Sequence, residues 1–182
     1  PFALLSLMAR LGSSQPVELC TSMDELVDGF DISNFGAAPT KFDEQDLFPL
    51  TARYLHGLPL EAVADDVAAL GVPADKAEKF WSVVRENITV KGDMAGWWDL
   101  FQNGATAVVD DEDAEFIATA LSMLPEPPYT DDTWSAWTAE VKEATGRKGK
   151  GLFMPLRKAV TGQARGPEMA DVMALLQTKP TV

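Results

Sequence analysis

The sequence predicts an all-α fold. Apolar residues recur every three or four positions in one segment after another. Glycines, prolines and capping residues separate these segments. No stretch alternates apolar and polar residues for long enough to read as a strand, and no internal repeat stands out. With 182 residues and 46% apolar content, there is material for one large or two small domains with a core. Helices of about 10 to 15 residues are expected.

Phe2 to Leu11 reads as the first helix, with Leu4, Leu7, Met8 and Leu11 on one face and Gly12 as its stop. Ser22-Met23-Asp24-Glu25 is a capping box that opens a second helix running to about Phe30. Asp31 to Lys41 is loop-like. Asp43 can cap a helix from Glu44 to His56, which Pro49 should bend or split. Leu58-Pro59 starts a helix to Leu70, with Ala62, Val63, Val67 and Leu70 inward and Gly71 as its stop. Pro73 starts the next, whose stripe is Ala77, Phe80, Trp81, Val84 and Ile88. Asp93 caps a segment containing Trp97, Trp98, Leu100 and Phe101. Asp111 starts a run with Ala114, Ile117, Ala118, Leu121 and Leu124 inward, broken by Pro125, Pro127 and Pro128. Thr130 caps the helix of Trp134, Trp137 and Val141, which ends at Gly146.

The C-terminal stretch has a different character. Arg147, Lys148 and Lys150 are threaded between Gly146, Gly149 and Gly151. An amphipathic run from Leu152 to Val160 stops at Thr161-Gly162, a linker carries Arg165, and Gly166-Pro167-Glu168 starts a last apolar run from Met169 to Leu176. Free backbone N–H groups and cations just before a helix N-terminus suit phosphate.

The net charge of −13 argues against nucleic-acid binding if it is spread evenly. It is not. Lys142 to Arg165 holds seven positive charges and one negative, a local +6 that leaves −19 on the rest of the chain. Five of the 28 acids stand in one run, Asp110 to Glu115. A basic face on an acidic body can dock a polyanion in one orientation, whereas a solvated basic loop is the bland alternative.

Catalytic chemistry is hard to assemble from these residues. Cys20 is the single cysteine, which excludes an internal disulfide and a multi-cysteine metal site. His56 is the single histidine and stands at a helix end, where a capping or surface role is the simpler account. Lys148-Gly149-Lys150-Gly151 lacks the Gly-Lys-Ser/Thr of a phosphate-binding P-loop. The acids near Asp111 do not follow calcium-loop spacing and read as a helix start. Trp97, Trp98, Trp134 and Trp137 could stack bases, but at helical spacing they read as core. No apolar run reaches the ~20 residues that a membrane-spanning helix needs.

Lys148, Gly149, Lys150, Leu152, Phe153, Pro155, Leu156, Arg157, Ala159, Val160, Thr161, Gly162, Gly166, Pro167, Leu175 and Leu176 together resemble the C-terminal signature of bacterial glutamyl-tRNA synthetases, which are class I enzymes. A looser resemblance, to the stem-contact region of that family, rests on Leu4-Leu5, Ala9-Arg10-Leu11-Gly12, Glu25-Leu26, Phe30-Asp31 and Lys41-Phe42-Asp43. Phe48-Pro49-Leu50 stands where the family usually has Trp-Leu-Asn.

The resemblance implies a helical bundle or cage of the anticodon-binding type, preceded by a short stem-contact helical segment. Residues 1–57 would be the stem-contact region and residues 58–182 the anticodon-binding domain, divisible into 58–128 and 129–182. It also implies tRNA as partner, with Arg147, Lys148, Lys150, Arg157 and Arg165 on the anticodon arm. For Arg157 an alternative stays open, in which it anchors the fold through a carboxylate. In the family an Arg at a helix end favours C over G at the third anticodon position. Asn87 aligns with that Arg and Arg85 with another, so tRNAs for glutamine as well as glutamate become candidates.

The two ATP-binding signatures of class I synthetases, His-x-Gly-His and Lys-x-Ser-Lys, are absent. ATP and Mg would therefore serve an upstream catalytic domain of the same polypeptide, with no cofactor in this stretch. By itself the stretch is expected neither to activate glutamate nor to charge tRNA. The chain starts at Pro1 without an initiator Met and is expected to be a piece of a longer, cytoplasmic, monomeric protein with no membrane segment. The rival from another class is a non-catalytic acidic helical scaffold that binds protein. Salt-dependent tRNA binding separates the two.

Overall fold

Helical periodicity dominates the chain, and the computed structural model, which describes residues 1–181, is all-α. Among the described residues there are ten α-helices joined by turns of 3-10 helix, and the only β pairing is an isolated bridge between Ser13 and Phe35. The backbone divides into two units, residues 1–63 with 88–93, and residues 64–87 with 94–182.

The first unit contains α1 (Phe2–Met8), α2 (Met23–Asp28) and α3 (Leu47–His56). Its buried cluster is small: Ala3, Leu7 and Leu50, with Leu19 and Leu47 packed against it. α1 is shorter than its periodicity predicts and turns a different face inward. Ala3, Ser6 and Leu7 are buried, whereas Leu4 and Met8 are exposed. The buried Ser6 hydroxyl has a reason to be there, since its oxygen accepts the Cys20 N–H at 2.9 Å.

Ser22 caps α2 as predicted by accepting from Glu25 N, but Glu25 reaches back to the N–H of Thr21. Asp43 caps only a 3-10 turn, Glu44–Asp46, and α3 follows it. Pro49 does not split α3. It sits in the first turn, where the N–H it lacks has no helical partner to lose. His56 ends α3 and donates from Nε2 to the Ile88 carbonyl at 3.1 Å, a structural contact.

The second unit holds α4 (Ala64–Ala69), α5 (Ala74–Val84), α6 (Asp93–Asn103), α7 (Ala114–Met123), α8 (Thr133–Thr145), α9 (Lys150–Thr161) and α10 (Met169–Leu175). The single helix expected from Leu58 to Leu70 is instead a 3-10 turn, Leu60–Ala62, followed by α4, and Ala62 faces solvent. Asp93 is the first residue of α6, not its cap, and its carboxylate accepts the N–H groups of Thr89 and Val90. Thr130 is not the cap of α8; its own N–H goes to Thr133 Oγ1 at 2.8 Å. On α7 the buried stripe is Phe116, Ile117, Ala120 and Leu121. Ala114 and Ala118, expected inward, face solvent because the larger Phe116 claims the core.

Aromatic rings fill the centre of this unit. Phe80 meets Trp98 and Phe101 edge-on, at 5.5 and 6.1 Å between centroids. Trp137 is 1% exposed, and its indole N–H is satisfied by the Ala120 carbonyl at 2.8 Å. Lys79 on α5 clips two distant segments together, reaching Asp131 at 3.0 Å and Asp171 on α10. The Asp171 bond, more than the Asp131 bond, holds the Lys79 ammonium above its usual pKa.

Candidate nucleic-acid interface

α8 ends at Gly146 in the left-handed conformation, and the loop Arg147–Gly149 leads into α9. The amphipathic pattern of α9 buries Leu152, Leu156, Ala159 and Val160. Pro155 lies inside the helix and has no N–H to return to the Gly151 carbonyl. Arg147 takes over that role, since its Nη1 donates to the Gly151 oxygen at 3.3 Å. The same guanidinium pairs with Asp113 and lies 4.0 Å from the centre of the Phe116 ring. The acid run contributes a second pair, Lys158 Nζ with Asp110 Oδ2 at 2.6 Å. Around these pairs runs a groove of about 510 Å³, lined by Glu112, Lys150 and Met154 among others.

Arg157 also faces inward. Its Nη2 donates to the Pro167 carbonyl at 2.9 Å, so it anchors α9 to the following turn through a backbone carbonyl. Its Nη1 is buried without a hydrogen-bond partner. Burial lowers the Arg157 pKa, and Glu168 opposes that shift. Lys148, Lys150 and Arg165 are exposed, and no ion pair or side-chain hydrogen bond engages them among the described residues. Lys148 and Lys150 flank the start of α9, and Arg165 lies beyond its end. A 12-residue helix spans about 18 Å, so the free cations occupy two ends of α9, not one cluster.

Arg85 and Asn87 fall on a 3-10 turn, Arg85–Asn87, that continues α5. The Asn87 amide nitrogen donates back to the Val83 carbonyl at 3.3 Å, which leaves its side-chain oxygen as the free group. Arg85 is half-buried, and its Nε is buried without a partner.

Helical spacing predicts core positions for the tryptophans. Trp97, Trp98 and Trp137 are core. Trp134 is half-buried and packs against Phe153, which is 46% exposed, at 6.4 Å between centroids. Charge patterning does not mark Phe153 as a site residue, though the sequence carries a signal for it. It falls off the Leu152–Leu156 stripe and lies three residues after Lys150, on the same helix face. A free cation and an exposed ring therefore share the first turns of α9. Such a pair can meet a phosphate and the face of a base.

This chain is 68% identical to glutamate–tRNA ligase 2 of Dinoroseobacter shibae, over all of its length and 41% of that protein. It is 67% identical over 178 residues to glutamate–tRNA ligase 1 of Cereibacter sphaeroides, covering 98% of the chain and 40% of that protein. It thus spans about two fifths of the length of these curated relatives. The crystal structure of a glutamate-tRNA synthetase from Elizabethkingia anophelis has the same fold, with a TM-score of 0.71 at 21% identity over 97% of this chain and 38% of that one. Residues 56–182, with the α5 end, the basic loop and α9 among them, match the anticodon binding domain family, and the chain belongs to that family.

Proposed function

We propose that this chain is the tRNA-binding part of a glutamate–tRNA ligase, the enzyme that joins glutamate to tRNA at the expense of ATP. Residues 1–57 act as the stem-contact region and residues 58–182 as the anticodon-binding region, with 58–128 and 129–182 as its two parts. ATP, Mg and glutamate are handled by the portion of the longer polypeptide that lies outside this chain. The whole protein works as a monomer in the cytoplasm. The observation that carries the reading is the α9 start, where Lys148 and Lys150 are free beside an exposed Phe153 within the family match.

Lys148, Lys150 and Arg165 meet phosphates of the anticodon arm. Phe153 and Trp134 offer ring faces to unstacked bases, the usual route to sequence recognition in single-stranded RNA. Arg147 and Arg157 shape this surface from below. Asn87 makes selection at the third anticodon position permissive, so that glutamine tRNAs are accepted with glutamate tRNAs. Its shorter side chain leaves room for a purine, and its free group is an acceptor that can take an N–H from either C or G.

The test is the affinity of the 182-residue chain for total tRNA as salt rises. With three phosphate contacts, log K should fall with log salt at a slope of about −2 to −3, at roughly 0.7 to 0.9 per contact. Lys148→Ala with Lys150→Ala should flatten the slope by the share of two contacts and weaken all tRNAs alike. A salt-independent affinity, or no binding at all, favours an acidic protein-binding scaffold and defeats the proposal.

A further inference from the structure

Two acids of one short segment neutralise two cations of the basic stretch, but the two pairs are built differently. Asp113 is buried, and its partner Arg147 is also held by the Phe116 ring and the Gly151 carbonyl. That pair belongs to the fold. Asp110 stands just before the 3-10 turn Asp111–Asp113, and its side chain makes no capping bond there. Its side chain is 55% exposed, and Lys158 Nζ, at 2.6 Å, is its one partner among the described residues. An ion pair this exposed holds weakly, because water and salt screen it. The backbone keeps the two residues adjacent without it: the N–H of Val108, two residues before Asp110, donates to the Lys158 carbonyl at 3.2 Å. The Asp110 carboxylate can therefore turn away from Lys158 while the chain stays in place.

Lys158 is 19% exposed, so its stem is packed, and the residue lines the same groove as Lys150. Lys150 lies eight residues earlier, about 12 Å along the helix axis, and is unpaired among the described residues. A phosphate backbone held at Lys148 and Lys150 brings its next phosphates to the groove at high local concentration. Arg147 is committed to Asp113, which leaves Lys158 as the groove cation with an exchangeable partner. A phosphate oxygen accepts from an ammonium as a carboxylate oxygen does, so the exchange breaks one charge-assisted bond and forms another.

We propose that Lys158 is a fourth phosphate-binding cation of this surface, masked by Asp110 in the free protein and passed to a tRNA phosphate in the complex. The inference rests on the tRNA reading and names a residue that the reading leaves unused. A polyanion without contacts at Lys148 and Lys150 meets a groove of acids and paired cations, so Lys158 adds affinity only to an RNA already seated. Asp110 is left to salt cations when Lys158 changes partner, so the exchange is read in affinity at fixed low salt and not in the salt slope.

The test is a double-mutant cycle on the 182-residue chain with total tRNA as the probe. Asp110→Asn should raise affinity about twofold to fivefold, the worth of an exposed ion pair. Asp111→Asn removes the same charge from the unpaired neighbour and should change affinity by less than about twofold. Lys158→Met keeps the packed stem and should weaken binding roughly twofold to tenfold, with Lys158→Arg close to wild type. In the Lys158→Met background, Asp110→Asn should bring no gain beyond that of Asp111→Asn. A gain from Asp110→Asn that survives Lys158→Met, or that Asp111→Asn matches, is a general charge effect and overturns the proposal. So does a folded Lys158→Met protein with wild-type affinity. Any of these results with salt-dependent tRNA binding intact leaves the tRNA reading standing, whereas a wild-type chain that binds no tRNA defeats both.

Discussion

Arg147 is the residue at which a binding role and a folding role make opposite predictions. Its guanidinium pairs with Asp113, covers the Phe116 ring at 4.0 Å and donates to the Gly151 carbonyl that Pro155 cannot reach. Arg147→Ala removes all three contacts. A hydrogen bond between charged groups contributes about 1.5 to 3 kcal/mol when buried. The Arg147 side chain is 32% exposed and Asp113 is 13% exposed, which places this pair near the lower end of that range. The ring contact adds about 0.5 to 1 kcal/mol. The 3.3 Å bond to Gly151 is long and adds about 0.5 kcal/mol. The total is about 2 to 3 kcal/mol, or a fall of roughly 5 to 10 °C in melting temperature for a chain of this size. Urea denaturation and calorimetry read the loss directly. Arg147→Lys keeps the charge but loses the forked geometry, so it should fall between wild type and Ala. In tRNA titrations at a temperature where the variant is folded, the salt slope should stay at the wild-type value. An Arg147→Ala protein that is as stable as wild type but has a flatter salt slope would show that Arg147 is a phosphate ligand and that the contact with Asp113 is incidental.

Other substitutions test neighbouring parts of the argument. Gly146 and Gly162 both end helices in the left-handed conformation, at φ +70° and +68°, but a Cβ at Gly162 would lie 2.8 Å from the Thr106 carbonyl oxygen while one at Gly146 meets nothing within 4 Å. Gly146→Ala should therefore cost about 1 to 2 kcal/mol and Gly162→Ala at least about 1 kcal/mol more, measured by urea denaturation. Burial raises the Tyr129 pKa to about 12, so its neutral form is favoured in the folded state and stability should decline as pH rises from about 10 through 12. Tyr129→Phe should remove that part of the alkaline loss in a pH series of melts. In the longer polypeptide of the proposed ligase, Asn87→Arg should shift the ratio of charging rates toward glutamate tRNA by roughly 1 to 3 kcal/mol, a range taken from bidentate base contacts. A wild-type ratio already strongly in favour of glutamate tRNA, and unmoved by the substitution, would remove Asn87 from the specificity argument.

The helical class and most of the second unit's core were legible because Phe80, Trp81, Val84, Trp98 and Leu156 each have a helical neighbour of the same kind. Legibility failed where the stripe was made of small or competing residues. On α7 an alanine stripe and a phenylalanine stripe overlap, and burial goes to the larger side chain. On α1 the periodicity of Leu4, Leu7, Met8 and Leu11 implied one buried face, yet only Leu7 of the four is buried. The pattern records apolar residues without saying what covers them. Charge along the sequence is incomplete for a related reason. Lys142 to Arg165 forms a basic run in sequence, but Asp110 and Asp113 return to it through the fold and take Lys158 and Arg147 as partners. No local rule reports a pairing across 34 or 48 residues.

The signature around α9 divides along the same line. Leu152, Leu156, Ala159 and Val160 are core, Arg157 is tied to Pro167, and Gly162 closes the helix against Thr106. Pro155 leaves the Gly151 carbonyl without its helical donor, and Arg147 supplies one. These residues are spaced as they are because the helix must start, pack and stop in fixed register. Lys148 and Lys150 answer to no such demand, and Phe153 touches the rest of the fold through the Trp134 ring. They are exposed side chains at the start of a helix whose interior is already accounted for. A substitution at either lysine should therefore leave folding intact and act on the ligand alone, and one at Phe153 should add only the loss of its contact with Trp134, whereas Arg157 is tied to the turn that follows the helix. That separation makes the two lysines the place where binding can be measured apart from stability.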